Sequence, residues 1–440
     1  MTHDPLDAVN TMNTNDPMTI RLEKVGPVDM MVRAPPSKSY THRALLCGAL
    51  AAGSSEISGV LEATDIFRTL ECLRMLGIEW KREGDLVSID GCAGEVPACG
   101  EVSLDCRDSG TTLRLLTTTG LLSSATVTVT GSRRMCERPI GPLVSSLKEL
   151  GAEVSYEGKE GFPPFRICGN LNGGRCQIDP YLSSQFLSSL LLHLPCAREK
   201  TTVVCLNEPA SASYLAITAD VMRAFGVFFQ QDGLEYVIEP QTYRAGSYHI
   251  EGDYSSASYL FALAAVCKGR VRVENLNPDS VQGDALFVLM LEEMGCRVRR
   301  FDNAVEVSSD GLLRGIDVNM STCPDTVQTL AVVAAFAKTP SKIRGIEHLR
   351  HKESDRITAI LRMLTDCGAG AVWEEGVLTI TPSKNLHGCT IHPVKDHRTA
   401  MAGAVLGCGV GGVTVCDAAC TAKSFPDFWE ILRRHSLWNG

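Results

Sequence analysis

The stretch that decides the fold is Leu73-Arg74-Met75-Leu76-Gly77-Ile78, because its pattern returns at regular intervals along the chain. A helix-like segment ends in Leu or Met, a glycine follows, and a strand-like segment begins. Glycine is favoured just past a helix end because it adopts the left-handed backbone conformation at little cost. Further copies lie 69 to 75 residues apart, with a poor sixth near residues 431–435, and their glycines are Gly151, Gly226, Gly295 and, more loosely, Gly368.

A second series of short polar clusters runs in step with the first series. Each cluster precedes an apolar helix rich in Ala and Leu, and the clusters are 70 to 74 residues apart. The two series predict six copies of one α/β unit, which divide into two lobes of three units. The clusters are centred on Ser39, Ser109, Ser183, Ser255, Asp325 and Asp396.

The midpoint between the two predicted lobes falls near residues 245–255, around Glu251-Gly252-Asp253. We predict a first lobe over residues 35–250. The segment from Met18 to Arg33 precedes the first unit and could pair with either lobe; we group residues 18–34 with residues 251–440 as the second lobe. Residues 1–17 are polar and predict a disordered tail without a signal peptide.

Six helix starts in register suggest a shared function. An isolated polar cluster of this kind is usually a helix N-cap. Equivalent helices of a repeat tend to point the same way, however, so their unpaired N–H groups and positive dipole ends meet on one surface. Two lobes that face each other would direct this field into a cleft, which favours a multiply charged anion.

Composition narrows the class of protein. The net charge of −9 argues against a nucleic-acid-binding protein, which would carry a basic surface. The 18 cysteines are scattered singly without a Cys-x-x-Cys pair, which favours reduced, buried thiols in the cytoplasm. The longest apolar stretch, Ala400 to Val415, has 16 residues with five glycines and is too short to span a bilayer. We expect a cytoplasmic monomer with no membrane or nucleic-acid partner.

The cluster tips in the first half carry cations and hydroxyl groups. Lys38 and Arg43 lie near a helix start, where their positive charges oppose the helix dipole and do not favour helix stability. Two explanations therefore stay open for them, an anion-binding site and ordinary surface charge. Gly110 would let a ligand approach the backbone, and the arginine-rich loop 133–140 suits phosphate or carboxylate. The neutral tips are helix caps or donors to an anion, and they comprise Ser183, Ser184 and Gln185, and residues 211–214 with Ser211 and Tyr214.

The tips in the second half add acids to cations. Asp325 opens an apolar helix, and residues 348–356 are dense in ionisable groups. Asp396-His397-Arg398 and Lys423-Ser424-Phe425-Pro426-Asp427 complete the set, although helix capping explains Asp325 and Asp396 equally well. Nearby cations would repel a dication, so the histidines of this half do not predict a metal site. We expect neither a metal nor a cofactor.

Taken together, these segments resemble the enolpyruvyl transferase family from about Arg33 to Trp429. The resemblance rests on motifs in family order, such as Ser37-Lys38-Ser39, Ser109-Gly110-Thr111, Glu137-Arg138-Pro139-Ile140 and Lys352-Glu353-Ser354-Asp355-Arg356. It implies an inside-out α/β barrel of two lobes, each with three βαβαββ units. It also implies transfer of the enolpyruvyl group of phosphoenolpyruvate to the 5-hydroxyl of shikimate-3-phosphate, with release of phosphate through a tetrahedral intermediate.

The resemblance also implies a role for each matching residue. Asp325, Glu353 and Lys38 would be catalytic. The shikimate-3-phosphate side would consist of Lys38, Ser39, Arg43, Ser183, Ser184, Ser211, Tyr214, Asp325 and Lys352. The phosphoenolpyruvate side would consist of Lys38, Gly110, Arg138, Gln185, Arg356, Arg398 and Lys423. Three sites depart from the common family pattern, namely Pro36, the run Thr112 to Leu115, and His348, which stands where Asn often contacts the shikimate ring.

Two other functions stay open at this point. The first is enolpyruvyl transfer to UDP-N-acetylglucosamine on the same fold, for which Cys106 or Cys136 could supply the cysteine-bearing loop. The second is a repeat protein that binds anions without catalysis. The presence of both acids, Asp325 and Glu353, argues against a protein that binds anions without catalysis. Measuring phosphate release with shikimate-3-phosphate and with UDP-N-acetylglucosamine would distinguish the two transferase activities.

Overall fold

The structure is a computed structural model that describes residues 18–438. The predicted tail at residues 1–17 lies outside the described residues. The strands, in chain order, are β1 (Ile20–Leu22), β2 (Asp29–Arg33), β3 (Ala52–Ser58), β4 (Trp80–Glu83), β5 (Leu86–Cys92), β6 (Glu101–Asp105), β7 (Thr126–Thr130), β8 (Ala152–Tyr156), β9 (Phe165–Gly169), β10 (Gly174–Ile178), β11 (Thr201–Cys205), β12 (Gln230–Asp232), β13 (Glu235–Ile238), β14 (Ser247–His249), β15 (Arg270–Glu274), β16 (Arg297–Phe301), β17 (Ala304–Ser308), β18 (Asp317–Asn319), β19 (Ser341–Arg344), β20 (Gly370–Glu374), β21 (Val377–Thr381), β22 (Thr390–Ile391) and β23 (Val413–Val415).

Helices lie between these strands in every unit. The α-helices are α1 (Lys38–Leu50), α2 (Thr64–Met75), α3 (Gly110–Thr119), α4 (Arg133–Cys136), α5 (Gly141–Glu149), α6 (Ser184–His193), α7 (Ser213–Ala224), α8 (Tyr254–Val266), α9 (Leu286–Glu293), α10 (Val327–Ala335), α11 (Arg356–Asp366), α12 (His397–Val410) and α13 (Phe428–Arg434). The 3-10 helices are Gly120–Leu122, Leu194–Cys196, Gly283–Ala285, Pro324–Thr326, Glu347–His351 and Ala418–Lys423. Within residues 18–438 no helix is long and apolar enough to cross a membrane.

The strands of residues 18–438 form six small sheets, one for each predicted repeat. The sheet of β6 to β9 shows the shared plan. Strand β6 runs parallel to β7 across a helix crossover, β7 pairs antiparallel with β9, and the hairpin partner β8 lies at the edge. This is the βαβαββ unit, and the fold class predicted from the sequence is confirmed.

Two units borrow their first strand from elsewhere in the chain. Strand β14 runs parallel to β3 and completes the first sheet, while β2 runs parallel to β15 and completes the fourth. Strand β1 pairs antiparallel with β23 in the sixth sheet, where it takes the place of the final hairpin found in the other units. Residues 20–33 therefore belong to the sheets of the second half of the chain.

Two separate apolar cores define the two lobes. The first lobe is built around buried residues between Tyr40 and Ile250, and the second around Ile20 to Ala34 together with Tyr254 to Leu437. The centre of each core is a bundle of helices with no polar face. In α8, for example, all thirteen residues are buried. The boundaries predicted above, 35–250 and 18–34 with 251–440, stay a prediction.

The chain crosses between the lobes twice, and the two crossings are hydrogen-bonded to each other. Ser37 N donates to Glu251 O at 2.8 Å, and Asp253 N donates to Pro35 O at 2.8 Å. Gly252 is required there, because an added Cβ would lie 1.9 Å from the carbonyl oxygen of Asn275. The paired crossings give the lobes one narrow shared hinge.

Candidate active site

The central helices of each lobe run side by side in register. Thr118 of α3 bonds to Ser189 of α6 at 2.8 Å, and Gln328 of α10 bonds to Thr399 of α12 at 2.7 Å. The residues of each pair are 71 positions apart, which is one repeat length. Equivalent helices therefore start at the same end of each lobe, as the sequence predicts, and their N-termini form one surface per lobe.

Side chains cap several of these helix starts. Ser109 accepts a hydrogen bond from Thr112 N, and Ser183 accepts one from Gln185 N. Asp253 caps α8 and Asp396 caps α12 in the same way. Capping is thus a real role of these residues, and it leaves the neighbouring side chains free to reach into the cleft.

The two surfaces of helix starts face each other across the cleft between the lobes. Tyr214 OH of the first lobe donates to Asp325 Oδ2 of the second at 2.5 Å. Lys423 Nζ of the second lobe donates to Asp108 O of the first at 2.8 Å. The ends that the sequence predicts to be electropositive are therefore directly opposed.

Arg356 is the centre of the charged network in the second lobe. Its guanidinium donates to Asp325 Oδ1 at 2.7 Å, to Glu353 Oε2 at 2.8 Å and to Asp396 Oδ2 at 2.9 Å, and it is only 2% exposed. Arg398 Nη2 donates to the other oxygen of Asp325 at 2.8 Å. Three carboxylates from different parts of the sequence thus share one buried cation, and each accepts from a different guanidinium nitrogen.

The arginines keep both candidate acids ionised. Burial alone would raise the pKa of Asp325, but the positive charges of Arg398 and Arg356 outweigh burial and hold this pKa far below its ordinary value. For Glu353 burial is likewise outweighed, here by Arg356 and Lys423, so its pKa lies well below the ordinary value. In this arrangement both carboxylates are weak bases.

Arg138, which is buried, and Lys352, which is partly buried, have no ion pair among the described residues. The Arg138 side chain is 6% exposed, and its Nε atom is buried without a hydrogen-bond partner. Its guanidinium lies against the backbone of Gly110, since an added Cβ there would be 2.5 Å from Arg138 Nη1. For Lys352, burial lowers the pKa to about 8, and the charge of Arg356 adds to this effect while Asp325 opposes it. Unpaired cations that are buried or partly buried favour a bound anion.

The guanidinium of Arg43 is largely occupied by the protein. Its Nε donates to Thr218 at 2.7 Å, Nη1 to Ser39 O at 3.0 Å, and Nη2 to Ser188 and to Tyr214 O at 3.2 and 3.3 Å. One Nη1 hydrogen remains, and burial lowers the pKa of Arg43 to about 10. Arg43 therefore holds the backbone at Ser39 in place, and one of its N–H groups is left to donate a hydrogen bond to a ligand.

The neutral tip of α6 is tied to the tip of α3. Gln185 Oε1 accepts from Arg114 Nη1 at 2.8 Å, and Gln185 Nε2 donates to Thr111 at 2.9 Å. Arg114 Nη1 also lies 3.4 Å from Ser183 Oγ. Ser184 is the buried first residue of α6, beside these groups. The side chain of Gln185 is thus held in one orientation before any ligand contact.

The remaining predicted residues lie at the same cleft. Lys38 Nζ forms an ion pair with Asp65 Oδ2 at 3.1 Å. Ser211 adopts a left-handed backbone conformation (φ 59°), and its Oγ lies 3.4 Å from His348 Nε2 of the opposite lobe. Burial, together with the charge of Lys352, lowers the pKa of His348 to about 3, so this ring is neutral.

No cation predicted for the phosphoenolpyruvate side faces outward. The exposed fractions of the five side chains range from 2% to 14%, which excludes an arrangement on the open surface. The described part of the chain contains no group of three or more His, Cys, Asp or Glu that is arranged to hold a metal ion. The five residues are Lys38, Arg138, Arg356, Arg398 and Lys423.

Four residues at the cleft were not predicted as site residues. Arg114 lies in the run Thr112 to Leu115, and Asp396 was considered as a helix cap, but neither was assigned a catalytic or substrate-binding role. Asp65 gave no sequence signal. His397 is 1% exposed with both ring nitrogens unpartnered, and burial and the charge of Lys38 lower its pKa well below the ordinary value. His397 lies between Asp396 and Arg398 in the sequence, and this position was the signal that could have identified it as a site residue.

Of the two cysteines that kept the UDP-N-acetylglucosamine alternative open, Cys106 is unsuited to reactivity at this site. Cys106 is fully buried, and its hydrogen bond with Cys72 together with burial raises its pKa well above the ordinary value. Cys136 closes the short helix α4, and its Sγ donates to Gly131 O at 3.6 Å. The thiol of Cys106 is therefore not activated as a nucleophile.

Comparison with known proteins gives one consistent result. The sequence model of the family described as EPSP synthase (3-phosphoshikimate 1-carboxyvinyltransferase) matches residues 22–432. The 3-phosphoshikimate 1-carboxyvinyltransferase of Methanoculleus marisnigri is 51% identical over 422 residues, which cover 96% of this chain and 100% of that protein. The protein of the same name from Yersinia pestis is 38% identical and covers 95% of this chain and 99% of that protein.

A solved structure agrees with the fold. The EPSP synthase of Acinetobacter baumannii superposes with a TM-score of 0.79 at 24% identity, over 95% of this chain and 98% of that one. The family match spans both lobes and every cleft motif described above. The chain therefore belongs to the EPSP synthase family of 3-phosphoshikimate 1-carboxyvinyltransferases and is an enzyme of enolpyruvyl transfer.

Proposed function

We propose that the cleft joins phosphoenolpyruvate to the 5-hydroxyl of shikimate-3-phosphate and releases inorganic phosphate. The observation that carries this proposal is the pair of acids on one buried cation: Asp325 and Glu353 both accept from Arg356. Addition followed by elimination needs a proton acceptor at the hydroxyl and a proton donor at the methylene carbon. Two acids held apart by a shared arginine supply both groups.

The cations of the cleft suit the charge of the two substrates. Shikimate-3-phosphate and phosphoenolpyruvate together carry roughly five to six negative charges at neutral pH. Bringing them into contact requires preorganised positive groups in a site that excludes water. Arg138, with its unpartnered Nε, and Lys352, with no ion pair among the described residues, are in our proposal the first groups to meet these anions.

Each substrate has its own set of residues in this proposal. Residues of the first lobe would hold shikimate-3-phosphate, and Asp325 and Lys352 would reach it from the second lobe. The phosphoenolpyruvate side takes its cations from both lobes. The first set is Lys38, Ser39, Arg43, Ser183, Ser184, Ser211, Tyr214, Asp325 and Lys352, and the second is Lys38, Gly110, Arg138, Gln185, Arg356, Arg398 and Lys423.

The chemistry would proceed in two balanced steps. In the first, the 5-hydroxyl oxygen bonds to C2 of phosphoenolpyruvate and the hydroxyl proton passes to Asp325. C3 gains a proton from Glu353, which must first take up a proton once the substrate has drawn Arg356 away, with Lys38 close by. In the second, the bond from C2 to the phosphate oxygen breaks, C3 returns its proton to Glu353, and phosphate leaves with the proton that Asp325 had taken from the hydroxyl group. The same acid therefore gives and later takes the C3 proton.

Substrate binding would also activate the two acids. While Arg356 and Arg398 bond to Asp325 and Glu353, the pKa of each acid is too low for proton transfer at neutral pH. The anionic groups of phosphoenolpyruvate compete for the same guanidinium hydrogens. Each hydrogen bond that moves from a protein carboxylate to the substrate raises the pKa of that carboxylate toward the working range.

The test is phosphate release by the purified chain when both substrates are mixed. We expect Asp325→Asn and Glu353→Gln each to lower kcat by about 10²- to 10⁴-fold, the usual contribution of a general acid or base. Glu430→Gln is the matched control, because within residues 18–438 that acid bonds only to Arg433 and Arg434 on the surface of α13. Normal turnover by both site variants would contradict the acid–base assignment, and phosphate release with UDP-N-acetylglucosamine instead of shikimate-3-phosphate would contradict the proposed acceptor.

A further inference from the structure

One arginine of the first lobe crosses the cleft to the backbone of the second lobe. Arg134 Nε donates to Glu353 O at 3.3 Å, and Arg134 Nη2 donates to Lys352 O at 3.4 Å. These two consecutive carbonyls belong to the residues whose side chains include one proposed acid and one proposed phosphate-binding cation. Arg134 does not belong to either set of substrate-binding residues above.

The local structure fixes the base of this arginine. Arg134 lies in the single turn α4, where Ser132 Oγ accepts from Met135 N at 3.3 Å and donates to Asp108 Oδ1 at 2.5 Å. The Met135 side chain is buried and anchors the turn in the core of the first lobe. The third guanidinium nitrogen of Arg134, Nη1, donates to Glu137 Oε2 at 3.2 Å. This bond to a residue just after α4 helps to orient the guanidinium group.

The segment that Arg134 contacts lacks regular structure of its own. Lys352 and Glu353 lie between the 3-10 helix Glu347–His351 and the start of α11. Backbone there is not fixed by a helix or strand ladder, so contacts from outside the segment decide where its side chains point. The hydrogen bonds from Arg134 exist only while the lobes are together.

We infer that Arg134 is a positioning residue that fastens the Lys352–Glu353 backbone to the first lobe and thereby sets Glu353 for proton transfer in the closed cleft. This inference rests on the proposed function, because it assumes that Glu353 moves a proton. Arg134 acts through Glu353 and touches neither substrate. Its side chain is about half exposed, so its removal leaves both lobe cores intact.

The experiment compares two adjacent arginines. Arg133 precedes Arg134 in α4 and is 96% exposed, and its guanidinium forms an ion pair with Glu137 at 3.8 Å and no other side-chain hydrogen bond or ion pair among the described residues. With both substrates saturating, we expect Arg134→Ala to lower kcat about tenfold, as for the loss of one to two charge-assisted hydrogen bonds, and Arg133→Ala to change it less than twofold. Arg134→Lys should give an intermediate kcat, because an ammonium reaches one carbonyl at a time. Equal kcat values for Arg134→Ala and Arg133→Ala would overturn the inference.

A double variant separates positioning from an independent role. In a Glu353→Gln background, the further substitution Arg134→Ala should cost less than about threefold in kcat, because the group that Arg134 positions no longer moves a proton. A full tenfold further loss would overturn the inference, since Arg134 would then act apart from Glu353. If Glu353→Gln alone keeps its kcat, the proposed acid is wrong, whereas the comparison of the two arginines still decides whether Arg134 fastens the cleft.

Discussion

At the scale of single residues, the cleft is built from charges that the protein satisfies unequally. Arg356 has three carboxylate partners, whereas Arg138 is buried without an ion pair in the described part of the chain. A buried cation without a partner costs stability, and the anion that pairs with it recovers this cost on binding. The residue types of this site were predictable from the sequence, because lysines and arginines recur at helix starts where they oppose the dipole.

Gly110 leaves just enough room for the guanidinium of Arg138. In Gly110→Ala the new methyl group would lie 2.5 Å from Nη1 and 3.1 Å from Cζ, so Arg138 must move. We expect KM for phosphoenolpyruvate to rise by about tenfold or more, since small displacements of a binding group are costly. Gly158→Ala is the control, because nothing lies within 4 Å of its added methyl group. Equal KM values for the two variants would show that Arg138 does not bind this substrate from its present position.

We expect Lys352 to make the binding of shikimate-3-phosphate dependent on pH. Burial lowers its pKa to about 8, so the free protein loses this positive charge as the pH rises through about 8. Affinity for the phosphate-bearing substrate should therefore be constant near pH 7 and fall by up to about tenfold per pH unit above 8. Calorimetric titrations at pH 7 and 9 measure this change. The variant Lys352→Arg stays charged and should bind equally at both values; an equally steep fall in that variant would assign the effect to another group.

At the scale of helices and strands, the sequence predicts the repeat well and the exchanged strands poorly. Glycine after a helix and a polar cluster before one are local signals, so six units could be counted. Strand β2 gives no local signal of its partner, because its parallel neighbour β15 lies far along the chain, and the pairing depends on the tertiary fold. For the same reason the ion pair of Lys38 with Asp65 and the cross-cleft bonds of Arg134 were not predictable.

One carboxylate caps helices that belong to different lobes. Asp253 accepts from Ser256 N of α8 at 2.7 Å and from Lys38 N of α1 at 3.2 Å, whereas Ser37, which precedes α1, makes no side-chain cap. Asp253→Ala should therefore lower the free energy of unfolding by roughly 2 kcal/mol, about twice the loss from a single cap. Ser109→Ala, which removes one cap, is the comparison in chemical denaturation. A smaller loss for Asp253→Ala than for Ser109→Ala would contradict the double role.

At the scale of the whole molecule, two electropositive surfaces meet across a narrow hinge. Hydrogen bonds such as those of Arg134 and Lys423 join the lobes in this structure, and we expect the like charges on the opposed lobes to favour an open cleft until anions lie between them. The number of repeats in the sequence predicted two lobes, but it did not predict how the lobes are oriented relative to each other. That geometry depends on the two crossings at Pro35 and Glu251, whose hydrogen bonds only the folded chain reveals.

We expect shikimate-3-phosphate alone to compact the protein in solution. Its phosphate and carboxylate would neutralise part of the facing charge and allow the lobes to close, which lowers the radius of gyration in small-angle X-ray scattering. High salt should reduce the difference between the free and bound forms, because it screens the repulsion. Identical scattering profiles with and without the substrate at low salt would contradict ligand-driven closure.

The exchange of strand β2 bears on how the nascent chain folds during translation. Asp29 of β2 and Arg270 of β15 pair across 241 residues, which a ribosome adding 5–20 residues per second needs on the order of ten to fifty seconds to synthesise. The whole core of the first lobe emerges during that wait, so we expect this lobe to fold cotranslationally while β2 remains unpaired beside it. The folded first lobe then holds β2 next to the point where the second half emerges, which shortens the search for its late partner.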